Sequence, residues 1–286
     1  MKHRSAYIHW VVALRPEAKP IIEKFGMSLD QEASSLFPVY RSKDGAHSLV
    51  LSGIGKINAA AATGYLAGVT GADRHICGWI NFGIAGSGGD DFGKVFLASK
   101  LSDGATGHSH FPPCIWGSKV TPERRPILTV DQPCEDYPTA GSLVEMEASG
   151  FYSTVIRNQT MELCQCIKVV SDDPAHPITS ISKEVVSKLC AEALDSLEPW
   201  MEVFLNSISE VDATVADPPE MTSLLRSLHF SSTREHQLRR LVQLWRARFD
   251  SALPDLSPTS YSDAKNCIET IREQLWSDPQ IPKNLA

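Results

Sequence analysis

The chain contains one short stretch, 144–151 (VEMEASGF), in which two carboxylates flank a methionine. On a strand, Glu145 and Glu147 would point to one face and Met146 to the other. In a kinked segment that leads into a helix, Met146 and Glu147 could instead reach one pocket. Because carboxylates accept hydrogen bonds from hydroxyl pairs and methionine covers apolar ring surfaces, this combination suits a sugar. Taken alone, such a motif is more often a strand end with solvated acids.

Two further acids follow apolar, strand-like runs. Glu17 comes after the run 7–14, in the first turn of a helix predicted over 17–25. Asp172 comes after the run 163–170 (LCQCIKVV). An acid at the carboxyl end of a buried strand is well placed for proton transfer. Each acid also has a plain structural explanation, Glu17 as a partner of the helix dipole and Asp172 as a turn or cap residue.

Two glycine-rich segments follow predicted strands. The segment 52–58 (SGIGKIN) lies between a strand predicted over 47–51 and an alanine-rich helix predicted over 59–67. A strand, a Gly-x-Gly turn and a helix N-terminus can bind an anion or a hydroxyl through backbone N–H groups. A second glycine-rich loop is predicted over 83–89, after a strand over 77–82. The first segment is not the dinucleotide fingerprint, because the third glycine is missing, and it is not a Walker loop.

Strands and helices alternate from about residue 6 to residue 196. Further strands are predicted over 95–98 and 127–130, and a helix over 180–196. This alternation predicts an α/β sandwich with a mainly parallel sheet. Since the polar positions follow strand after strand, they are expected to meet at one edge of that sheet.

Composition limits the classes of partner. The 286 residues carry a net charge of −7, which gives no general attraction to nucleic acid or to an anionic membrane. No apolar run is long enough to span a membrane, and the short N-terminal run contains His9 and reads as a strand rather than a signal peptide. Seven scattered cysteines are expected to be free thiols in a reducing cytoplasm.

The segment 106–113 is predicted to be an irregular loop that carries His108 and His110. Their spacing could suit a metal, but no acid or cysteine stands nearby at ligand spacing, so no metal is expected there.

The pattern becomes purely helical from about residue 197, so we expect one domain over 1–196 and a helical extension over 197–286. Helices are predicted over 220–230 and 262–276, and a capping box at Ser232 starts another one between them. That helix has a single apolar stripe, made of Leu238, Leu241, Val242, Trp245 and Phe249. Six arginines and one glutamate in 226–248 make it basic. It could bind an acidic partner, or its stripe could pack on the sandwich with the arginines in solvent.

The ordered motifs give the chain a family resemblance. It resembles the nucleoside phosphorylase superfamily, and within it the 5′-methylthioadenosine/S-adenosylhomocysteine nucleosidases. The matching motifs are AL-x-x-E (13–17), SGIGK-x-N-AA (52–60), N-x-G-x-AG (81–86), VEMEA (144–148) and VSD (170–172). The resemblance implies a three-layer α/β/α sandwich around a twisted mixed sheet. It covers about residues 6–196, so the helical tail lies outside it.

The resemblance also implies roles in the cleavage of a purine–ribose N-glycosidic bond. Asp172 matches the acid at the purine N7, and Glu147 the residue that binds the ribose hydroxyls. Met146 matches the residue that packs on the ribose. Glu17 matches the acid that positions and activates water, and Ser52 would help to hold that water. The other positions expected in the substrate site are Glu145 as a support, Gly53, Ala85, Gly86, Ser171 and, by its place in the 106–113 loop, Phe111.

The implied reaction is hydrolysis of a purine nucleoside, such as 5′-methylthioadenosine, S-adenosylhomocysteine or 5′-deoxyadenosine, by a cytoplasmic homodimer or larger homo-oligomer without a cofactor. The segment 131–143, which should help to hold the base, is shorter than in the methylthioadenosine enzymes, so the base stays open. Phe111 could enter the 5′ pocket of a neighbouring subunit. Two alternatives remain. One is a phosphorylase that binds phosphate through Arg15 or Lys56, and the other is a non-catalytic nucleoside-binding module with a partner-binding tail.

Overall fold

The computed structural model describes residues 7–71, 76–89, 91–133, 137, 141–215, 217–249 and 252–277. The chain forms two compact units that divide between Asp212 and Ala213, rather than after residue 196. The later division has a physical reason. Trp200, Phe204 and Ile208 of the next helix are buried in the core of the first unit, so that helix begins there.

The elements of the first unit follow one another in a mostly alternating order. Its strands are β1 (Ile8–Val12), β2 (Met27–Leu29), β3 (Val39–Ser42), β4 (His47–Leu51), β5 (Gly78–Ser87), β6 (Val95–Asp103), β7 (Ser109–His110), β8 (Arg124–Thr129), β9 (Leu143–Glu145) and β10 (Cys164–Asp172). Its helices are α1 (Arg15–Lys24), α2 (Lys56–Thr70), α3 (Ala148–Val155) and α4 (Lys183–Ser196), and α5 (Glu198–Val215) begins in it.

The ten strands form one mixed sheet that closes on itself at one end. Strands β5, β10, β6, β8 and β9 pair in a ring, because β10 pairs with both β5 and β6 and β9 pairs with both β8 and β5. From β5 the sheet continues through β1, β4, β3 and β2. The pairings of β1 with β4 and β5 are parallel, whereas β2, β3 and β4 pair antiparallel.

Helices cover both faces of the sheet, because the side chains of β1 point alternately into two helix-covered cores. Ile8, Trp10 and Val12 point into a core that contains residues of α1, α4 and α5, whereas Val11 points into a second core with residues of α2 and α3. The predicted three-layer α/β/α sandwich with a mixed sheet is therefore confirmed.

Three local predictions were wrong. The segment 83–89 is mostly strand, since β5 continues to Ser87 and its glycines make room for neighbouring side chains instead of forming a loop. The strands β2 and β3, which form an antiparallel edge, were not predicted because they are short and carry little apolar periodicity. The 106–113 segment contains the short strand β7.

The second unit contains α6 (Pro219–Ser227), α7 (Ser232–Arg248) and α8 (Ala264–Trp276). The predicted apolar stripe lies mostly in the unit's own core, where Leu238, Leu241, Val242 and Trp245 cluster with residues of α6 and α8 such as Met221 and Ile271. Phe249, the last residue of the stripe, is 37% exposed. The residue that caps α7 is Ser231, one position before the expected Ser232, and its side chain accepts from the backbone N–H of Arg234. Each helix in the described ranges of the chain is too short or too polar to cross a lipid bilayer.

Candidate active site

A cavity opens in the first unit where β1, β5, β9 and β10 end. Among the described residues, its lining contains four carboxylates, Glu17, Glu145, Glu147 and Asp172, and every other lining residue is apolar or glycine. Met146, Ala85 and Gly86 belong to that apolar part of the lining. The cavity is therefore an apolar pocket with convergent acids, the usual composition of a small-molecule site.

Strand pairing brings the acids together from distant parts of the sequence. Asp172 at the end of β10 lies beside Gly86 of β5, and Gly86 pairs in turn with Val144 of β9. On the other side of β9, Glu145 pairs with Thr129 of β8. The closed ring of strands is therefore what places Asp172 next to the VEMEA segment.

Glu17 is buried at the start of α1 and is fixed at both carboxylate oxygens. Its Oε2 accepts from the backbone N–H of Leu14 at 2.7 Å, which caps the helix, and its Oε1 accepts from the N–H of Ile84 at 2.9 Å. Burial raises the pKa of Glu17 to about 7, with Glu147 contributing in the same direction. The two N–H donors and Lys168 act against that rise. Glu17 is therefore both a helix cap and a carboxylate that exchanges a proton near neutral pH.

Glycine is required at two strand positions beside the acids. A Cβ on Gly83 would lie 2.8 Å from Oε1 of Glu17. A Cβ on Gly86 would lie 2.6 Å from Oδ2 of Asp172 and 2.6 Å from the ring of Tyr137. The glycine-x-x-glycine spacing in β5 thus lets the carboxylates approach the strand closely.

Glu145 ends β9 and is saturated by protein donors. Its Oε1 accepts from the Thr129 hydroxyl at 2.5 Å, and its Oε2 accepts from the backbone N–H groups of Glu147 and Ala148. The same oxygen lies 2.8 Å from Nζ of Lys168, and both side chains are 1% exposed. Glu145 thus supports the segment, because its acceptor positions are occupied by protein donors.

Glu147 lies two residues further on, at the N-cap position of α3, so the VEMEA segment is a strand end kinked into a helix. Its Oε1 accepts from the N–H of Gly55 at 2.8 Å. Gly55 precedes α2 with a φ of 102°, a conformation that favours glycine. Burial raises the pKa of Glu147, and Glu145 adds to the rise while Lys168 opposes it. Both Met146 and Glu147 line the cavity, so they do reach one pocket.

Lys168 is a buried cation in the middle of β10, beneath these acids. Burial disfavours its charge, but Glu145 and Glu147 outweigh that effect and raise its pKa. The ammonium group therefore stays charged, which partly compensates the negative charge of the site.

Asp172 is held by two hydroxyl donors. The Ser171 hydroxyl donates to Oδ1 at 2.6 Å, and the Tyr137 hydroxyl donates to Oδ2 at 2.9 Å. The carboxylate still lines the cavity, so its remaining lone pairs are available to a ligand.

Four other predicted site residues do not line the cavity. Ser52 and Gly53 are absent from its described lining, and the Ser52 hydroxyl donates to the carbonyl of Gly53 at 2.8 Å. Ser171 is fully buried behind Asp172. Phe111 is 63% exposed, away from the cavity lining.

The two candidate phosphate ligands are engaged elsewhere. The Arg15 guanidinium hydrogen-bonds to the Tyr40 hydroxyl and lies 5.0 Å from the centre of that ring. Lys56 Nζ lies 2.9 Å from Asp103 and 3.0 Å from Asp131. Neither cation belongs to the described lining of the cavity.

Three supporting residues were missed by sequence reasoning: Thr129, Tyr137 and Lys168. A signal existed for Lys168, because a lysine inside the apolar run 163–170 must have a buried carboxylate partner. Thr129 and Tyr137 act through contacts that no local pattern reveals.

Comparisons with known proteins agree with this fold. The sequence matches no known family model and no curated protein. Among solved structures, it is similar to the 5′-methylthioadenosine/S-adenosylhomocysteine nucleosidase of Neisseria meningitidis in complex with methylthio-immucillin-A. The TM-score is 0.51 at 18% identity, over 68% of this chain and 99% of that one.

Two further structures are similar to it. The futalosine hydrolase of Helicobacter pylori gives a TM-score of 0.53 at 16% identity, over 71% of this chain and 100% of that one. The 5′-methylthioadenosine nucleosidase of Arabidopsis thaliana gives 0.55 at 17% identity, over 71% of this chain and 96% of that one. At such identities the likeness establishes the fold that the sequence motifs predicted.

Proposed function

We propose that the chain is a nucleosidase that hydrolyses the N-glycosidic bond of a purine nucleoside. The observation that carries the proposal is the cavity in which Glu17, Glu147 and Asp172 converge around apolar walls. Enzymes with this fold whose structures are solved include methylthioadenosine nucleosidases and a futalosine hydrolase. The favoured substrates are 5′-modified adenosines, namely 5′-methylthioadenosine, S-adenosylhomocysteine or 5′-deoxyadenosine.

In the proposed reaction, Asp172, Glu17 and Glu147 each have one role. Asp172 donates a proton to the purine N7 as the bond between C1′ and N9 breaks and its electron pair moves onto the base. The sugar then passes through an oxocarbenium-like state, which water attacks at C1′. Glu17 accepts the proton of that water, and Glu147 accepts hydrogen bonds from the ribose hydroxyls. The products are the free base and the free sugar.

The environment of Glu17 supports its role as a base. A general base is most effective when its pKa lies near the working pH, and burial raises the pKa of Glu17 to about 7. In the ligand-free protein, this carboxyl exchanges its proton around neutral pH.

The charge of the cavity favours water over phosphate as the second substrate. Four carboxylates line it, and Arg15 and Lys56 are paired with Tyr40, Asp103 and Asp131. A phosphate dianion would meet like charges there without a lining cation among the described residues. A phosphorylase therefore stays the second candidate.

A binding module without catalysis is the third candidate. Its partner-binding helix would be α7, but most of the apolar stripe of α7 lies in the core of its own unit. Apart from the exposed Leu244 and Phe249, that helix offers a partner mainly polar side chains, which weakens this alternative.

We also propose that the active unit is a homodimer or larger oligomer in the cytoplasm. Phe111 and Ile57 are large, exposed apolar side chains, and Ile54 is half exposed at the cavity. A second copy that covers them could place Phe111 in the neighbouring 5′ pocket. Among the described cysteines, free thiols are found at Cys114, Cys164, Cys166, Cys190 and Cys267, as a reducing compartment would maintain them.

The test is a nucleoside panel. Purified protein is incubated with 5′-methylthioadenosine, S-adenosylhomocysteine, 5′-deoxyadenosine, adenosine and inosine, and the base and the sugar are identified. We expect release of adenine from at least one 5′-modified adenosine. The Asp172→Asn variant should lose about 10²–10⁴-fold in kcat while it remains folded. An Asp172→Asn variant with full activity would show that the acid is misassigned, and binding without turnover by wild type would favour the third candidate.

A further inference from the structure

We infer that Tyr137 is a positioning residue for the general acid. The inference rests on the proposed function, because it concerns the proton that Asp172 donates to the base. Tyr137 stands outside the motifs that define the site in the sequence, in the segment 131–143 that precedes the VEMEA motif. Its hydroxyl donates to Oδ2 of Asp172 at 2.9 Å.

The ring of Tyr137 is fixed as well as its hydroxyl. A Cβ on Gly86 would lie 2.6 Å and 3.1 Å from two ring carbons of Tyr137. The φ of Gly86 is not positive, so the glycine is needed at this position for space and not for backbone conformation. Gly86 therefore gives room to the tyrosine ring and to the Asp172 carboxylate at the same strand position.

The two donors occupy different oxygens of the acid. The Ser171 hydroxyl donates to Oδ1, and the Tyr137 hydroxyl to Oδ2. Two donors on opposite oxygens fix the plane of the carboxyl group and direct its remaining lone pairs into the cavity, which Asp172 lines. One donor alone would leave the carboxyl group free to rotate about its last bond.

This arrangement acts on proton transfer, and not only on position. A phenol hydrogen bond to a carboxylate is charge-assisted and stronger than the same bond to a neutral carboxylic acid. As the proton leaves Asp172 for the purine N7, the bond from Tyr137 strengthens. Tyr137 thus stabilises the charge that develops on the acid when the C1′–N9 bond breaks.

The substitution Tyr137→Phe keeps the ring and removes the donor. Hydrogen bonds to charged groups contribute about 1.5–3 kcal/mol, so we expect kcat to fall about 10–100-fold while KM changes by less than about threefold. The acid then loses its proton less readily, so the high-pH limb of the kcat profile should move to higher pH. A structural defect of the cavity would instead raise KM and leave that limb in place.

The matched control is Tyr65→Phe. The Tyr65 hydroxyl donates to the carbonyl of Ala33 at 2.9 Å, away from the cavity, so this variant loses a comparable phenol hydrogen bond. It should keep the wild-type kcat, KM and pH profile.

The experiment measures kcat, KM and their pH profiles for wild type, Tyr137→Phe and Tyr65→Phe on the nucleoside that wild type cleaves fastest. A slower Tyr137→Phe with an unchanged KM and a high-pH limb moved upward supports the inference. If wild type is active and Tyr137→Phe is equally active, or differs from wild type only in KM, the inference about Tyr137 is overturned. The proposed function is not affected by that outcome. A wild type that cleaves no nucleoside overturns the proposed function, and the inference falls with it.

Discussion

Nζ of Lys168 lies 2.8 Å from Oε2 of Glu145, and both side chains are 1% exposed. This buried ion pair lies where β10 and β9 support the cavity, and Lys168 also lowers the pKa of Glu17 and of Glu147. A single buried cation thus opposes the rise that burial causes in the pKa of Glu17 and of Glu147, and it pairs directly with a third acid, Glu145.

Replacing Lys168 by methionine should destabilise the protein and change its pH dependence. Breaking a buried pair leaves an uncompensated charge, which costs about 3–5 kcal/mol in the free energy of unfolding. The pKa of Glu17 should rise above its present value of about 7, so activity should require a higher pH. Urea unfolding and the kcat/KM profile measure the two effects.

The control is Lys188→Met. The Nζ of Lys188 lies 3.8 Å from Oε1 of Glu192 in an exposed ion pair. Its loss should change the free energy of unfolding by less than about 1 kcal/mol. The double variant Lys168→Met/Glu145→Gln should regain part of the lost stability. Equal stability of Lys168→Met and wild type would contradict the role of the buried pair.

The pKa of Glu17 predicts the low-pH limb of activity. Because the base must be ionised, kcat/KM should rise with pH through a midpoint of about 7 in the free enzyme. Glu17→Gln should lose about 10²–10⁴-fold in kcat/KM, and its residual activity should lose that limb. Glu23→Gln, on the exposed face of the same helix, should behave as wild type. If Glu17→Gln keeps the low-pH limb of wild type unchanged, that limb reports the titration of another group.

A buried histidine predicts a loss of stability in acid. Burial, together with Arg41, lowers the pKa of His9 from 6.5 to about 3. Below pH 6.5, His9 therefore binds a proton in the unfolded chain but stays neutral in the folded protein. The free energy of unfolding consequently decreases as the pH falls from about 6.5 towards 3. Between pH 7 and pH 5, this one residue should lower the free energy of unfolding by about 2 kcal/mol.

The measurement is urea unfolding of wild type and His9→Phe at both pH values. The decrease in the free energy of unfolding between pH 7 and pH 5 should be about 2 kcal/mol smaller in His9→Phe than in wild type. Since both proteins share every other titrating group, the difference isolates His9. His108→Gln, on an exposed loop, is the control and should show the wild-type drop. Identical drops in wild type and His9→Phe would refute the neutral, buried histidine.

Phe111 predicts self-association that matters for substrate binding. It is 63% exposed and does not line the cavity of its own chain. If a second copy places it in the 5′ pocket, Phe111→Ala should raise KM for a 5′-modified adenosine about 10–100-fold, as expected for the loss of roughly 1.5–3 kcal/mol of apolar contact. Leu36→Ala, at another exposed apolar residue, is the comparison. A monomer in sedimentation with an unchanged KM for Phe111→Ala would end this proposal.

The sequence was sufficient for the layers of the fold and for the placement of the main acids. Alternating strands and helices predict that polar residues after β1 and β10 meet at one edge, and Glu17 and Asp172 do line one cavity with Glu147. Glu17 also illustrates why a single motif stays ambiguous, since its carboxylate caps a helix and faces the cavity at once.

Features that depend on distant contacts were not predictable. The continuation of β5 through Gly83 and Gly86 follows from side chains that approach it from α1 and β10. The end of the first unit follows from Trp200 and Phe204, whose helical pattern does not reveal the core in which they are buried. Tyr137 contacts Asp172 across 35 positions of sequence, and no periodicity links the two residues.

The identity of the sugar product tests the central claim most directly. The nucleoside that the protein cleaves fastest is incubated in phosphate-free buffer and in phosphate buffer, and the sugar is identified by mass spectrometry. Hydrolysis predicts the free pentose at the same rate in both buffers. A pentose 1-phosphate that forms only when phosphate is present would contradict the account and establish a phosphorylase.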